Sequence, residues 1–432
     1  MSNSSVKDQP VRVARVMDRL NVGGPAKHAV FTSKLNADEF EVTLISGTVP
    51  AGEGDMTYLA REAGIEPLII KEMSRAISPL DVLVIGKLFR RFLRLKPQIV
   101  HTHKAKAGTV GRLAAFLYKW LTPAALIFKP RKCSVVHTFH GHIFHSYFSP
   151  AKTRVFIAIE RLLARFFTDK IIVISDEQRR EICDDFRIGR PEQFLVMPLG
   201  VDFQDPEPQN HTWREEQGIA ADEFTIGIVG RLCEVKNHAM LFKAFRILLD
   251  EFEHAEKTSP RVRLVVIGDG ELRGELESLA RELRLTDQVV FTGFCKNVLA
   301  LYKHLDLIAL TSLNEGTPVT LIEGMAFARP IISTAVGGVV DLMGKPGATK
   351  EGFTLWAHGL TTASRDAESF ARALHFLITQ PELRNEMGEA AQKFALEKYS
   401  KKRLVGDIET LYHELLEKPQ RLKVQQSEIV SQ

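Results

Sequence analysis

Two glutamates, Glu315 and Glu323, are the second and the last residue of the segment NEGTPVTLIE. An apolar run typical of a buried strand precedes the segment, and a run with helical periodicity completes it. Strand ends bind ligands in open α/β sheets, and the unpaired N–H groups at a helix start attract anions. Carboxylates beside an anion cannot neutralise it, but they accept hydrogen bonds from hydroxyl groups. The pattern therefore predicts a phosphate site flanked by two hydroxyl-binding acids, with a capped helix carrying two solvated acids as the alternative.

A basic pair follows the first strand-like run in the second half of the chain. Arg231 and Lys236 come just after the run FTIGIVG at 224–230. A planar guanidinium and a flexible ammonium together suit a pyrophosphate better than either group alone. We therefore expect both side chains to bind phosphates, the alternative being two solvated surface charges.

Gly23 and Gly24 follow the first strand-like run, in the loop NVGGPAKH. Glycine permits positive φ and a close backbone approach to a ligand, and Pro25 suits a first helical position. The loop lacks the GxGxxG spacing of a dinucleotide fingerprint, which disfavours a dehydrogenase. It is either a phosphate-facing helix start or an ordinary turn.

Histidines are concentrated around one strand end, at His137, His140, His142 and His145. Metal binding is disfavoured, because the local sequence supplies no Asp, Glu or Cys to complete a ligand set. A second pair, His101 and His103, ends another strand-like run. This pair either binds phosphates of an acceptor or is partly buried in a loop.

Strand-like and helix-like segments alternate along the chain, as in parallel sheets covered by helices. Strands are predicted at 11–17, 41–47, 65–71, 98–103, 134–140, 170–175 and 193–200, then at 224–230, 263–268, 288–293, 307–312 and 330–335. The main predicted helices are 25–35, 78–95, 151–168, 237–252, 271–283, 296–304, 319–328 and 366–379. We therefore expect an α/β protein with domains at 1–203 and 223–399, a linker at 204–222, a helix at 400–417 and a polar tail at 418–432.

Composition excludes several classes of protein. The chain has 432 residues, of which 45% are hydrophobic and 25% charged, so it is neither disordered nor fibrous. Its four cysteines are far apart and form no CxxC pair, which disfavours a disulfide scaffold or zinc cluster and fits a reducing compartment. The polar start lacks a signal-peptide pattern, and no apolar run is long enough to span a bilayer. We expect a cytoplasmic protein.

The basic charge is unevenly distributed. No acid occurs between Asp81 and Glu160, where the average composition would give roughly nine or ten, yet fourteen Lys or Arg lie there. The segments 86–96 and 111–123 combine apolar and basic residues at helical spacing, as interfacial helices do. We expect this stretch either to bind an anionic membrane surface peripherally or to form ordinary helices with basic outer faces. Few aromatic residues are interleaved as stacking platforms, so we expect no nucleic acid partner.

The segment 312–338, SLNEGTPVTLIEGMAFARPIISTAVGG, resembles the signature of the family-4 retaining glycosyltransferases of group 1 type, which have the GT-B fold. IGIVGRLCEVKN at 226–237 and the pattern Thr-x-His-Gly ending in Gly141 match the same family in order along the chain. The sequence departs from the family at Gly324 and Ala328, where Ala and Gly are more frequent. The resemblance covers roughly residues 11–400 and implies two Rossmann-like domains facing a cleft, with the last helix crossing back to the first domain.

The resemblance also implies residue roles. His140, favoured over His142, contacts the donor sugar; Glu315 binds that sugar and Glu323 the ribose. Arg231 and Lys236 bind the diphosphate, and the backbone near Phe294 meets the base. The remaining expected binding residues are Gly23, Gly24, Gly316, Thr317, Pro318 and Val319.

These roles imply metal-independent, retaining transfer of a sugar from a UDP-, GDP- or ADP-sugar to a hydroxyl of a glycan or lipid-linked acceptor. Within the family, the sequence resembles the bacterial lipopolysaccharide and exopolysaccharide transferases. No Asp-x-Asp motif stands at a strand end to hold a divalent ion, so no cofactor is expected. The alternatives are a sugar-nucleotide 2-epimerase or hydrolase on a similar fold, and a non-catalytic sugar-nucleotide-binding protein.

Overall fold

A computed structural model describes residues 9–21, 23–50, 54–74, 78–127, 129–140, 150–203, 213–254, 260–295 and 297–417. The chain divides into two compact units. The first unit comprises Met1–Gly200 and Lys401–Gln432, and the second comprises Val201–Ser400. The predicted linker lies partly outside the described residues, and the predicted polar tail lies wholly outside them.

The described part of the first unit contains a seven-stranded, fully parallel sheet of order β3-β2-β1-β4-β5-β6-β7. Its strands are β1 (Val11–Arg19), β2 (Phe40–Gly47), β3 (Leu68–Ile69), β4 (Ile99–His103), β5 (Ser134–Thr138), β6 (Lys170–Val173) and β7 (Phe194–Val196). Its helices are α1 (Gly24–Phe31), α2 (Thr57–Glu62), α3 (Asp81–Leu95), α4 (Ala105–Trp120), α5 (Pro150–Phe167) and α6 (Asp176–Arg179). Strands buried on both faces explain the near-continuous apolar runs of the sequence.

The described part of the second unit contains an eight-stranded sheet of order β10-β9-β8-β11-β12-β15-β14-β13. Its strands are β8 (Phe224–Val229), β9 (Val262–Ile267), β10 (Val289–Gly293), β11 (Leu307–Leu310), β12 (Ile331–Thr334), β13 (Pro346–Lys350), β14 (Phe353–Trp356) and β15 (Gly359–Thr362). Its helices are α7 (Trp213–Glu216), α8 (His238–His254), α9 (Arg273–Glu282), α10 (Val298–Leu301), α11 (Val319–Ala326), α12 (Ala367–Ile378) and α13 (Pro381–Tyr399).

The two sheets confirm the predicted α/β class with two Rossmann-like units. Strands β13, β14 and β15 were not predicted, because they are short and lack long apolar runs. Strand β14 pairs antiparallel with both of its neighbours, unlike the parallel strands of the rest of the sheet. Helix α13 was also missed, since its polar and apolar residues lack a strong helical stripe. No helix in the described residues is long and apolar enough to cross a membrane.

The last helix, α14 (Lys401–Glu417), packs on the sheet of the first unit. Leu404, Ile408 and Leu411 are buried there in one cluster with Val13 of β1. Apolar residues at this spacing form one helix face, and burying that face places the C-terminal helix in the unit that the N-terminus begins. The chain therefore returns to its first unit, as the fold resemblance implied.

Candidate active site

Lys236 and Glu315 form an ion pair in the second unit. The ammonium nitrogen of Lys236 lies 2.5 Å from Oε1 of Glu315, and the Ser312 hydroxyl donates to the same oxygen at 2.6 Å. Both charged side chains are largely shielded from solvent, with 21% and 11% of their surface exposed. Two predicted site residues separated by 79 positions are thus brought together. The pair offers a cation for a phosphate beside an oxygen acceptor for a hydroxyl group.

Strand ends hold this pair in place. The Thr311 hydroxyl donates to the carbonyl oxygen of Lys236 at 3.1 Å, and the Leu313 N–H donates to that of Val235 at 2.8 Å. Gly337 has φ +48°, and a Cβ there would lie 1.9 Å from the carbonyl oxygen of Glu315. A side chain at Gly337 would therefore displace the backbone that carries Glu315. These contacts fix the loop after β11 against the turn after β8.

Glu323 lies on α11 and is almost completely buried, with 4% of its surface exposed. The hydroxyl of Tyr302 lies 3.1 Å from its Oε2 atom. Burial, followed by the charge of Glu323, raises the pKa of Tyr302 well above its usual value, so this tyrosine remains a hydrogen-bond donor. A buried carboxylate on a helix has few rotamers available, which suits it to orient a bound hydroxyl group.

Helix α11 starts at Val319, after the turn formed by Gly316, Thr317 and Pro318. Pro318 precedes the first helical residue, and neither a side-chain cap nor an acid occupies the first turn. The first turn therefore carries the positive end of the helix dipole uncompensated by a local acid. The helix ends at Ala326 rather than at 328 as predicted.

The two departures from the family pattern have structural consequences. A Cβ at Gly324 would lie 2.6 Å from Cγ1 of Ile308, so glycine makes room for this β11 side chain. Ala328 has φ +56°, a left-handed conformation that costs an alanine about 1 kcal/mol relative to glycine. Both positions hold small residues, but Gly324 affects the packing of Ile308 and Ala328 places an alanine in a left-handed backbone conformation.

Arg231 and Phe294 are the most exposed of the predicted site residues in the second unit. The Arg231 guanidinium is 71% exposed and pairs with Glu271 at 3.0 Å. Phe294 follows β10 and is 75% exposed. Their side chains are not held by packing, in contrast to Lys236 and Glu323.

In the first unit, Gly23 and Gly24 join β1 to α1. Gly23 has φ +150°, a conformation that favours glycine, and Gly24 is the first residue of α1. The helix was predicted to start at Pro25 and end at 35; it starts one residue earlier and ends at Phe31. The loop thus provides an uncapped helix start, since the structure gives no side-chain cap there.

His140 lies two residues beyond β5 and touches two other histidines. Its Nε2 atom lies 2.9 Å from Nδ1 of His103, and its ring is packed edge-on against His28, with centroids 4.8 Å apart. His103 and His101 belong to β4 and are completely buried, so neither forms a partly buried loop pair or an exposed phosphate site. His142 and His145 lie outside the described residues.

Burial holds these histidines in the neutral form. Burial first, and then the charges of Arg15 and Arg403, lowers the pKa of His28 to about 3. Burial is also the main cause that lowers the pKa values of His103 and His140 well below their usual range. Lys104 adds to this effect at His140. These rings are therefore hydrogen-bonding groups at neutral pH, not cations.

His28, His103 and His140 bring one nitrogen each within 4.8 Å of one another, a spacing that a metal ion could bridge. The donor set does not fit, because Arg15 donates to Nε2 of His103 at 3.0 Å. A neutral His103 must then carry its hydrogen on Nδ1, the atom that would have to bind the metal. The charge of Arg15 also opposes a cation here. We find no physical case for a metal at this cluster.

Arg15, His28 and Tyr412 were not identified from the sequence. Arg15 stands inside an apolar strand, and a buried arginine there is a weak signal that something nearby must accept its hydrogen bonds. His28 is an isolated residue of α1, and Tyr412 lies on α14 almost 400 positions from Arg15. Sequence spacing carries no information on this last contact.

Comparison with known proteins assigns both halves of the chain. The model described as Glycosyltransferase Family 4 matches residues 22–205. The model described as Glycosyl transferases group 1 matches residues 209–394. The second match contains Arg231, Lys236, Glu315 and Glu323, and the first contains the Gly23–Gly24 loop and His140.

Individual proteins agree with these matches. The UDP-Gal:alpha-D-GlcNAc-diphosphoundecaprenol alpha-1,3-galactosyltransferase of Escherichia coli is 25% identical over 397 residues, covering 89% of this chain and 93% of that protein. CapM of Staphylococcus aureus, a capsular polysaccharide biosynthesis glycosyltransferase, is 24% identical and covers 78% of this chain and 82% of its own. A crystal structure of Anabaena Alr3699/HepE with UDP has a TM-score of 0.72 at 19% identity, covering 94% of this chain and all of that one. The last likeness concerns the fold.

Proposed function

Because this chain belongs to the group 1, family 4 glycosyltransferases, which have the GT-B fold, we propose that it transfers a sugar with retention of configuration. The donor is a nucleoside diphosphate sugar, and the acceptor is a hydroxyl of a glycan or of a lipid-linked glycan. No metal ion takes part. The observation that carries the proposal is the ion pair of Lys236 and Glu315 beside the start of α11.

The chemistry of that pair supports a diphosphate donor. An ammonium group and a helix start stabilise the negative charge that develops on a departing diphosphate. Glu315 and Glu323 accept hydrogen bonds from sugar and ribose hydroxyls, respectively. Arg231 is exposed and forms a surface ion pair with Glu271, so it can turn to the phosphates at little cost.

The proposed reaction proceeds on one face of the donor sugar. The bond between the anomeric carbon and the β-phosphate oxygen breaks, and the acceptor oxygen bonds to the same carbon from the same side. The departing phosphate oxygen takes the acceptor's proton, so no protein base is needed. Lys236 and the helix start stabilise the leaving group, while His140 hydrogen-bonds to the sugar.

Relatives support a role in cell-surface polysaccharide or glycolipid synthesis. The Escherichia coli relative has UDP-Gal and a diphosphoundecaprenol-linked GlcNAc in its name, and the Staphylococcus aureus relative is named for capsular polysaccharide. The Anabaena structure contains UDP. We therefore propose a UDP-sugar first among the candidate donors, and a lipid diphosphate or another glycolipid as carrier of the acceptor.

Donor binding tests this assignment. We expect a UDP-sugar at about 100 times its Kd to stabilise the protein by about 2.7 kcal/mol, raising the melting temperature, because it binds only the folded state. Glu323→Ala should abolish most of this shift, whereas Glu282→Ala, which changes an exposed residue at the end of α9, should retain it. Turnover with an acceptor should continue in EDTA and yield a product with the donor's anomeric configuration. An inverted product, or no shift with UDP-, GDP- or ADP-sugars, would contradict the proposal.

A membrane-facing surface on the first unit is the second part of the proposal. Large apolar side chains are exposed there on α3, α4, α5 and the loop after α4, at Leu80, Val82, Leu83, Leu93, Trp120, Leu121, Ile127, Leu162 and Phe166. Exposed basic residues such as Lys129 and Lys132 lie in the same stretch. Not all its basic residues are exposed, since Arg112 is buried against Glu160 and Lys106 pairs with Asp81. The remaining surface suits peripheral binding at the inner face of the cytoplasmic membrane.

Vesicle flotation checks this surface. We expect the protein to float with vesicles containing anionic lipid at low salt and to be released at high salt, because each basic residue contributes about 1 kcal/mol near such a surface. The double variant Leu121→Glu, Ile127→Glu should bind at least about tenfold less, since it adds charge to the apolar contact. The control variant Leu396→Glu, which changes an exposed leucine of α13, should bind like the original chain. Salt-independent binding, or none, would remove the membrane proposal.

A further inference from the structure

Arg15 donates hydrogen bonds into the histidine cluster from the interior of β1. One terminal nitrogen lies 3.0 Å from Nε2 of His103 and 3.2 Å from Nδ1 of His101. The other donates to the carbonyl oxygen of Thr32 at 2.7 Å and to the hydroxyl of Tyr412 at 2.9 Å. An arginine has donors and no acceptor, so the direction of each of these bonds is known without seeing the hydrogens.

That direction determines the tautomers of two rings in turn. His103 accepts at Nε2, and because the ring is neutral its hydrogen is on Nδ1. Nδ1 of His103 then donates to Nε2 of His140 over 2.9 Å. His140, also neutral, must therefore carry its own hydrogen on Nδ1.

Nδ1 of His140 is buried and has no hydrogen-bond partner among the described residues. Both ring nitrogens of the adjacent His28 are likewise buried without a hydrogen-bond partner among the described residues. Buried donors of this kind are rare in folded proteins unless a ligand or water pairs with them. The unpaired N–H of His140 therefore marks the place of an oxygen that none of the described residues supplies.

We propose that Arg15, acting through His103, is a positioning residue that fixes the tautomer in which His140 donates its Nδ1 hydrogen to an oxygen of the donor sugar. The identity of this oxygen rests on the proposed function; the tautomer does not. A ring that donates from Nδ1 and is held at Nε2 has no free lone pair, so His140 orients the sugar and does not remove the acceptor's proton.

Ring-nitrogen NMR tests the tautomer directly in the full chain labelled with 15N-histidine. Long-range proton–nitrogen correlations distinguish a hydrogen on Nδ1 from one on Nε2, and the signals of His140 are assigned by their loss in His140→Gln. We expect Nδ1–H in the original protein. Arg15→Met and His103→Leu should both give a mixture of the two forms at His140, with kcat/KM lower by roughly 10- to 100-fold.

Two further variants separate this role from a structural one. His103→Gln keeps an acceptor for Arg15 and a donor for His140, so it should restore Nδ1–H and most of the activity lost in His103→Leu. Tyr412→Phe removes a different partner of Arg15 and should leave the His140 tautomer unchanged. Nε2–H at His140 in the original protein, or an unchanged His140 spectrum in folded Arg15→Met or His103→Leu, would overturn the proposal. Absence of transferase activity would count against the proposed function, and the NMR result would still decide the tautomer.

Discussion

Lys236→Met is expected to lower kcat/KM by roughly 10²- to 10³-fold, because it removes a preorganised positive charge from the departing diphosphate. Methionine keeps an unbranched side chain only one atom shorter than lysine, so the loss is mainly electrostatic. The ammonium is largely shielded from solvent and lies 2.5 Å from Glu315, where charge interactions are stronger than in water. The measurement is steady-state kinetics with the nucleotide sugar that gives the largest thermal shift.

The control for this result is Lys243→Met, an exposed lysine of α8 that undergoes the same change in charge. Its turnover should stay within about twofold of the original value, as surface charges far from a site contribute little. The variant Glu315→Gln decides whether Lys236 merely holds the carboxylate. If Lys236 only holds the carboxylate, adding Lys236→Met to Glu315→Gln should not lower kcat/KM further. If Lys236 contacts the diphosphate, the double variant should have a lower kcat/KM than Glu315→Gln alone. Unchanged turnover in Lys236→Met would refute the phosphate assignment.

Mild acid is expected to unfold the first unit before the second. Five histidines of the first unit have pKa values lowered mainly by desolvation: His28, His101, His103, His137 and His140. In the unfolded chain they would bind protons near pH 6.5. Above that pH the rings are neutral in both the folded and the unfolded state, so they do not reduce the free energy of unfolding. As the pH falls below about 6.5, only the unfolded state binds the protons, and the free energy of unfolding falls.

The free energy of unfolding of the first unit is expected to depend steeply on pH. Each proton that only the unfolded state binds lowers the free energy of unfolding by about 1.4 kcal/mol per pH unit, and five give up to about 7 kcal/mol. Domains are commonly stable by only about 5–15 kcal/mol. Between about pH 6.5 and 5.5 most carboxylates remain ionised, so the histidines dominate this change. In the second unit, burial and then the charge of Lys236 lower the pKa of His238 to about 4, which adds one proton at most to the difference between the folded and unfolded states.

Hydrogen exchange followed by mass spectrometry at pH 7.5, 6.5 and 5.5, corrected for the intrinsic exchange rate, reports the two units separately. We expect protection in β1, β4 and β5 to fall steeply, and protection in β8 and β11 to fall much less. His28→Leu removes one titrating ring and should reduce the slope by about 1.4 kcal/mol per pH unit. Equal loss of protection in both units would contradict the prediction.

The amino-acid sequence by itself determined the α/β class, most strand positions and the local context of Glu315 and Glu323. These are short-range properties: apolar runs specify buried strands, and Gly-Thr-Pro specifies a turn into a helix. The same reasoning missed β13 to β15, whose pairing depends on neighbours more than on their own pattern. It also left His101 and His103 either as ligands of acceptor phosphates or as a partly buried loop pair, whereas both are buried residues of β4.

Only the tertiary structure decided which polar groups meet. It paired Lys236 with Glu315, whose loops are 79 positions apart, and left Arg231 at the surface. It also brought Arg15 to Tyr412 across 397 positions, through the packing of α14 on the first sheet. Hydrophobic burial drives that packing and is not directional, so sequence periodicity predicts that the helix packs but not which side chains it meets. Hydrogen bonding within the resulting interior then selects the tautomers that the sequence leaves undetermined.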